Sequence, residues 1–288
     1  MTGGAVDKGA VTLRAGLDRA WIEFRQTVTS VAELLAWLWI PLAALTVMYF
    51  IGDDPVPGTG VTLGAQAIPG ILGMNVVFTA LLGLAMALTA DREDGTLLRA
   101  KATPHGMSAY LVGKVLSKAG MTVATMVILL VPTAFLFDGL QLDRVSSWVD
   151  LVLVLLLGLV ATLPIGAVLG SLFANVQTLG FITLFIMALV AVSGVFYPIT
   201  ALPAWLQFVG QVFPVYWLGL GLRSALLPDD LALAEIGGTW REWEMVGVLG
   251  LWAVIGFVLA PVVLRRMARR ESGSAVAARR EQLAQRAA

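Results

Sequence analysis

The chain has 288 residues, 58% hydrophobic and only 13% charged, with a mean hydropathy of +0.86. Soluble domains carry about a quarter charged residues, so this composition excludes a soluble globular protein. It indicates an all-α integral membrane protein with room for about six helices of about 20 residues each. Zero net charge leaves no footprint for nucleic acid, the absence of cysteine excludes disulfide and thiolate chemistry, and a lone histidine, His105, excludes a multi-histidine metal site.

Residues 1–33 hold no continuous apolar run of the kind a cleaved signal peptide needs. Leu13, Leu17, Trp21, Phe24, Val28 and Val31 recur at spacings of three and four, with Arg14, Asp18 and Arg25 turned away and Ile22 as the exception. This pattern predicts an amphipathic helix lying in the membrane interface, the alternative being a helix packed on other protein. Six apolar runs follow, at about 34–51, 66–90, 111–137, 151–173, 178–197 and 245–264. They define a membrane domain over 34–264. Lys114 and Lys118 at the start of the third run are expected on a helical extension, their stems snorkelling to the interface.

Between the second and third runs lies a charged island, Asp91-Arg92-Glu93-Asp94-Gly95-Thr96-Leu97-Leu98-Arg99-Ala100-Lys101-Ala102-Thr103-Pro104. It is too short for a domain but long enough for one or two helical turns, a break at Gly95 and a stop at Pro104. Two readings fit: a solvated loop held inside by its positive charge, or a knuckle offered to a partner. With both termini inside, sixteen of the 19 basic residues are cytoplasmic and only Arg144, Arg223 and Arg241 lie outside, a strong positive-inside bias.

From Leu151 to Leu222 there is no Asp, Glu, Lys, Arg or His. A charge near the bilayer centre costs about 2.5–3.5 kcal/mol on insertion scales and is kept for a purpose. The absence of a central carboxylate from every span disfavours an ion-coupled carrier. The neutral groups Asn75, Thr79, Thr162, Ser171 and Ser193 read either as helix–helix hydrogen bonds or as substrate contacts. Gly166-Ala167-Val168-Leu169-Gly170 fits a close-packing motif that is frequent by chance in apolar helices. After the fifth run, Pro198, Pro203, Pro214 and Pro228 alternate with Trp205, Phe208, Phe213, Tyr216 and Trp217. The prolines forbid one straight spanning helix, so residues 198–228 are expected as short re-entrant helices on the outer side, with a flat amphipathic loop as the alternative. The tail, 265–288, is basic. It suits either an extended helix binding anionic headgroups or a solvated segment.

No catalytic chemistry is legible. Gly106 to Val115 is a near miss for a phosphate-binding loop, with its glycines too far apart and Val115 in place of the required hydroxyl. Energy for uphill transport would therefore come from another chain.

Two segments carry a resemblance to the membrane subunits of ABC-2 type transporters. The first is Arg92-Glu93-Asp94-Gly95-Thr96-Leu97 with Thr103-Pro104 and Gly113-Lys114. The second is Gly194-Val195-Phe196-Tyr197-Pro198-Ile199 with Leu202-Pro203, Trp205-Leu206, Phe213-Pro214, Tyr216 and Gly221-Leu222-Arg223. The likeness covers roughly residues 13–270, and its compact size is closer to drug and antibiotic exporters than to large lipid exporters. Leu98 departs from the family pattern, which often has an acid there.

The resemblance implies a permease that is not itself an enzyme, in a bacterial cell membrane, working as a dimer or beside a related permease. It implies a separate ATPase subunit that binds the ATP and magnesium. Residues 91–108 become the coupling segment, with Arg92, Glu93, Asp94, Gly95, Thr96, Leu97, Arg99 and Pro104 as contacts: Leu97 and Leu98 as apolar anchor, the charges as rim. It also implies a substrate path between the second and fifth spans, with Asn75, Phe78, Thr79 and Phe185 as lining. Tyr197, Pro198, Pro203, Trp205, Pro214 and Arg223 mark the outer re-entrant region. The competing class is an ion-coupled transporter or channel that needs no ATPase.

Overall fold

The computed structural model describes residues 8–52, 54, 62–103, 106–173, 175–194 and 199–270. Pro104, Tyr197, Pro198 and the tail beyond Arg270 lie outside the described residues. Among those described there is no β-strand. Helix α1 (Lys8–Thr29) is followed by α2 (Val31–Ile51), α3 (Leu63–Val76), a π-helical stretch (Val77–Leu82), α4 (Gly83–Glu93) and the short α5 (Thr96–Lys101). Then come α6 (Gly106–Leu136), α7 (Val145–Leu172), α8 (Val176–Val192), α9 (Ala204–Val212), α10 (Pro214–Leu226) and α11 (Glu242–Arg270).

Five helical segments are long and apolar enough to cross a membrane: Val31–Phe50, Leu63–Glu93, Gly106–Leu136, Val145–Leu172 and Glu242–Arg269. The fifth expected span, 178–197, is shorter than predicted. Helix α8 has 17 residues, about 26 Å at 1.5 Å per residue. It stops because Ser193 turns its hydroxyl back onto the Val190 carbonyl (2.7 Å) and Gly194 takes φ +66°, the left-handed conformation that ends helices at glycine.

Close backbone approach organises the bundle. A Cβ at Gly166 would fall on the Leu81 carbonyl oxygen, and one at Gly170 would sit 2.6 Å from the Ala85 oxygen. The small-residue pair is thus a true packing seam between α7 and the π-stretch with α4. Contacts advance together, Leu81 with Gly166 and Ala85 with Gly170, so these helices run parallel. So do α7 and α11, where Pro164 meets Gly256. Helix α10 is wedged among α3, α7 and α11, its glycines admitting neighbours: Gly219 beside Gly73, and Gly221 beside Val154. Pro214 starts it at the first helical position, where the missing N–H costs nothing.

Helix α1 packs on protein along one side. It runs parallel along the first half of α6, with Gly16 against Val112, Arg19 against Gly113 and Phe24 against Gly120. The packed face is Gly16, Ala20, Phe24 and polar side chains. Leu13, Leu17 and Trp21 are left exposed. The apolar stripe and the protein contact therefore occupy different sides of one helix, because glycine and alanine, not leucine, permit the close crossing.

Candidate functional site: the charged knuckle

Helix α4 ends at Glu93, and Gly95 reverses the chain with φ +81°. L-residues pay about 1–2 kcal/mol for that conformation, which glycine adopts freely. The Thr96 N–H donates to the Asp94 carboxylate (2.7 Å), closing an Asx turn that starts α5. Arg99 Nη2 donates to the Thr96 hydroxyl at 2.8 Å. The knuckle is thus a fixed turn carrying one short helix.

Its residues divide into two sets. Asp94, Arg99 and Lys101 are exposed, with Glu93, Thr96 and Leu98 half-buried. Leu97, expected to anchor a partner, is instead fully buried in the chain's own core. Only Leu98 of the two leucines offers any surface. Arg92, expected in a polar rim, also turns inward. Its side chain is buried, and Nη1 donates to the carbonyls of Ser171 (3.1 Å) and Phe173 (2.9 Å). Those carbonyls belong to the C-terminal end of α7, which lacks intrahelical donors and attracts a cation. Arg92 therefore clamps the knuckle to α7.

A second set of groups ties the knuckle to α6 and α1. Asp91 accepts a hydrogen bond from the Tyr110 hydroxyl (2.7 Å) and pairs with Lys114 (2.9 Å). Lys114 also reaches Glu23 (3.3 Å), which pairs with Arg19 (3.0 Å), and the Arg19 guanidinium lies 4.7 Å over the Tyr110 ring. Two acids and two bases balance, which satisfies charges that are mostly out of solvent. Lys114 and Lys118 do not reach out as expected: one is enclosed in this network and the other lies 4.8 Å over the Trp37 ring. The network was missed in the sequence. The available signal was that Glu23, Asp91 and Lys114 fall at the same end of the bundle once the spans are drawn.

Between α1, α5 and α6 opens a groove of about 600 Å³ lined by Asp18, Arg19, Ile22, Ala100, Thr103 and Tyr110 among others. It places the exposed part of the knuckle beside a mixed polar and apolar cleft.

The four residues expected along a substrate path separate. Asn75 and Thr79 are buried and bonded together: Asn75 Nδ2 donates to Thr125 Oγ1 (3.0 Å), and Thr79 Oγ1 donates to Asn75 Oδ1 (3.2 Å). Their polar atoms fasten the central helix to α6. Phe78 is half-buried, and Phe185 is exposed beside a wholly apolar cleft of about 270 Å³ with Leu81, Phe213 and Trp252.

On the opposite end, Trp205 is exposed on α9 together with Phe208, while Pro203 caps that helix. Arg223 is buried. It pairs with Glu235 (2.8 Å) and donates to the Gly194 carbonyl (3.0 Å), joining α10, the segment after it and the end of α8.

Comparison with protein families gives a match to the ABC-2 type transporter model over residues 13–227. No match was found among curated proteins.

Proposed function

Since this chain belongs to the ABC-2 type transporter family, and so is a permease component of an ABC transporter, we propose that it is the transmembrane half of an ATP-driven exporter coupled to a separate ATPase subunit. The observation that carries this reading is the knuckle's construction. A short helix on a glycine pivot presents Asp94, Arg99 and Lys101 outward while Arg92 and Asp91 fix its base to three other helices. A push on α5 passes through the Arg92 clamp to α7 and through Asp91 and Lys114 to α6 and α1.

The ATPase subunit, which holds ATP and magnesium, docks on α5 and in the adjoining groove. Its two nucleotide states bind the inward- and outward-facing permease with different affinity, and that difference drives the cycle. Two permease copies, or one beside a related subunit, enclose the path. The apolar cleft beside Phe185 supports an amphipathic cargo such as a drug, an antibiotic or a lipid. Orientation follows the arginine and lysine bias: knuckle and both termini cytoplasmic, in a bacterial cell membrane.

Gly95→Pro tests the coupling. Proline is held near φ −65° and cannot adopt +81°. In liposomes carrying the permease with its co-purified ATPase, ATP hydrolysis should persist while transport is lost, with membrane insertion unchanged. Normal transport by this variant would show that the knuckle is not the coupling element.

A further inference from the structure

At the knuckle end of α11 two cavities meet. One, about 360 Å³, is lined only by apolar side chains, among them Val115 and Leu116 of α6, Leu159 and Leu163 of α7, and Phe257 and Leu264 of α11. The other, about 290 Å³, is lined by Arg265, Arg266 and Arg269 with Pro261 and Val262. Pro261 lines both. The arginines are exposed, and none pairs with a carboxylate among the described residues. Elsewhere at this end the network of Arg19, Glu23, Asp91 and Lys114 balances its charges. The three arginines therefore form a cluster of cations without a carboxylate partner among the described residues, at the end of a membrane-spanning helix.

The apolar groove has a telling length. Along α7 it runs from Leu156 to Ala167. At 1.5 Å per residue this is about 16 Å, half of the roughly 30 Å hydrocarbon core. A groove one leaflet deep, opening at its mouth onto guanidinium groups, matches a molecule with one acyl chain's reach and an anionic phosphate at its head. Arginine forks suit phosphate oxygens better than a lysine point charge does.

We propose that this is a binding site for an anionic phospholipid of the knuckle-side leaflet, phosphate on Arg265, Arg266 and Arg269 and an acyl chain between α6, α7 and α11. The inference rests on the chain's being membrane-embedded and not on its coupling to an ATPase. The groove touches α6 at Val115 and Leu116, next to Lys114 of the knuckle network. An occupant would therefore brace α6 against α7 and α11 just where the knuckle is anchored.

Native mass spectrometry of the full chain in detergent, titrated with phosphatidylglycerol or with phosphatidylcholine of the same acyl chains, tests the site. Phosphatidylglycerol should be retained and phosphatidylcholine lost. Each arginine near a membrane surface is worth about fivefold in affinity, so R265Q/R266Q/R269Q should weaken phosphatidylglycerol about 100-fold. Val160 lies exposed in the groove, and Val160→Trp should fill it and weaken the lipid with the arginines intact. Equal retention of both lipids, or of phosphatidylglycerol by the triple variant, overturns the proposal. Displacement of the lipid by inorganic phosphate, or a V160W variant that binds normally, would reduce the site to a free-anion site and overturn the lipid assignment. Loss of a co-purifying protein from the triple variant with lipid retained would overturn it in favour of a protein interface.

Discussion

Arg223 and Glu235 have side chains only 5% and 4% exposed and meet at 2.8 Å. Burying either ion alone is expensive, and removing one partner of such a pair typically costs about 3–5 kcal/mol. Arg223→Met should therefore lower stability by about that amount, read as thermal unfolding of the purified protein, while R223M/E235L should recover most of the loss. Equal losses in the single and double variants would mean that packing, and not charge, is what Arg223 contributes. Arg223 was singled out in the sequence by its place in the second motif, but its partner was not. Glu235 follows twelve residues later, across a segment of 3-10 turns, and no local spacing connects the two. The same holds at the knuckle. Arg92 has the look of a surface charge in a charged run, yet it bonds carbonyls 79 and 81 residues away. Backbone acceptors carry no residue type, so sequence gives no hint of them.

Helices are the level at which the sequence was most legible. Apolar length predicted the position of each long helix because the bilayer imposes it on every residue of a span. Contact faces were less so. The α1 face that meets α6 is built of Gly16, Ala20, Phe24 and charged stems, while its leucines and Trp21 face away, and hydrophobic periodicity marks the exposed stripe without locating this packed face. Glycines likewise differ by environment, not by residue type. Gly170 holds its would-be Cβ 2.6 Å from a backbone oxygen of α4, whereas at Gly250 of α11 nothing lies within 4 Å. Gly170→Ala should destabilise by about 1–3 kcal/mol through overpacking. Gly250→Ala should be neutral or stabilising by up to about 1 kcal/mol, from helix propensity. Thermal unfolding of both variants in one detergent checks the contrast.

At the scale of the molecule, burial is uneven. In the central Leu63–Glu93 segment 83% of the apolar window is buried within the chain, against 11% for Val31–Phe50 and 22% for Glu242–Arg269. The outer helices thus keep most of their surface for lipid or for another subunit. Phe181 and Leu184 of α8 and Trp205 and Phe208 of α9 add a further exposed apolar face, and the proposed pairing of two permease copies has a natural seam there. Because the chain has no cysteine, Phe208→Cys introduces a unique thiol. Mild oxidation should convert the membrane-embedded protein to a disulfide-linked dimer on non-reducing gels. A species that stays monomeric while the transporter remains assembled would assign this face to lipid.

The π-helical stretch Val77–Leu82 has a consequence for direction. A π-turn closes one residue later than an α-turn, so every residue beyond it lags by about 100°, one α-helical step, behind its bearing in a continuous α-helix. Asp91 and Arg92 come roughly three turns later, and their bearings toward Tyr110 and Lys114 on one side and the α7 carbonyls on the other include that offset. The compass heading of the knuckle is therefore set deep in the bundle. A chain of the same length with Val77–Leu82 wound as ordinary α-helix would keep every side chain of the knuckle and aim them all elsewhere.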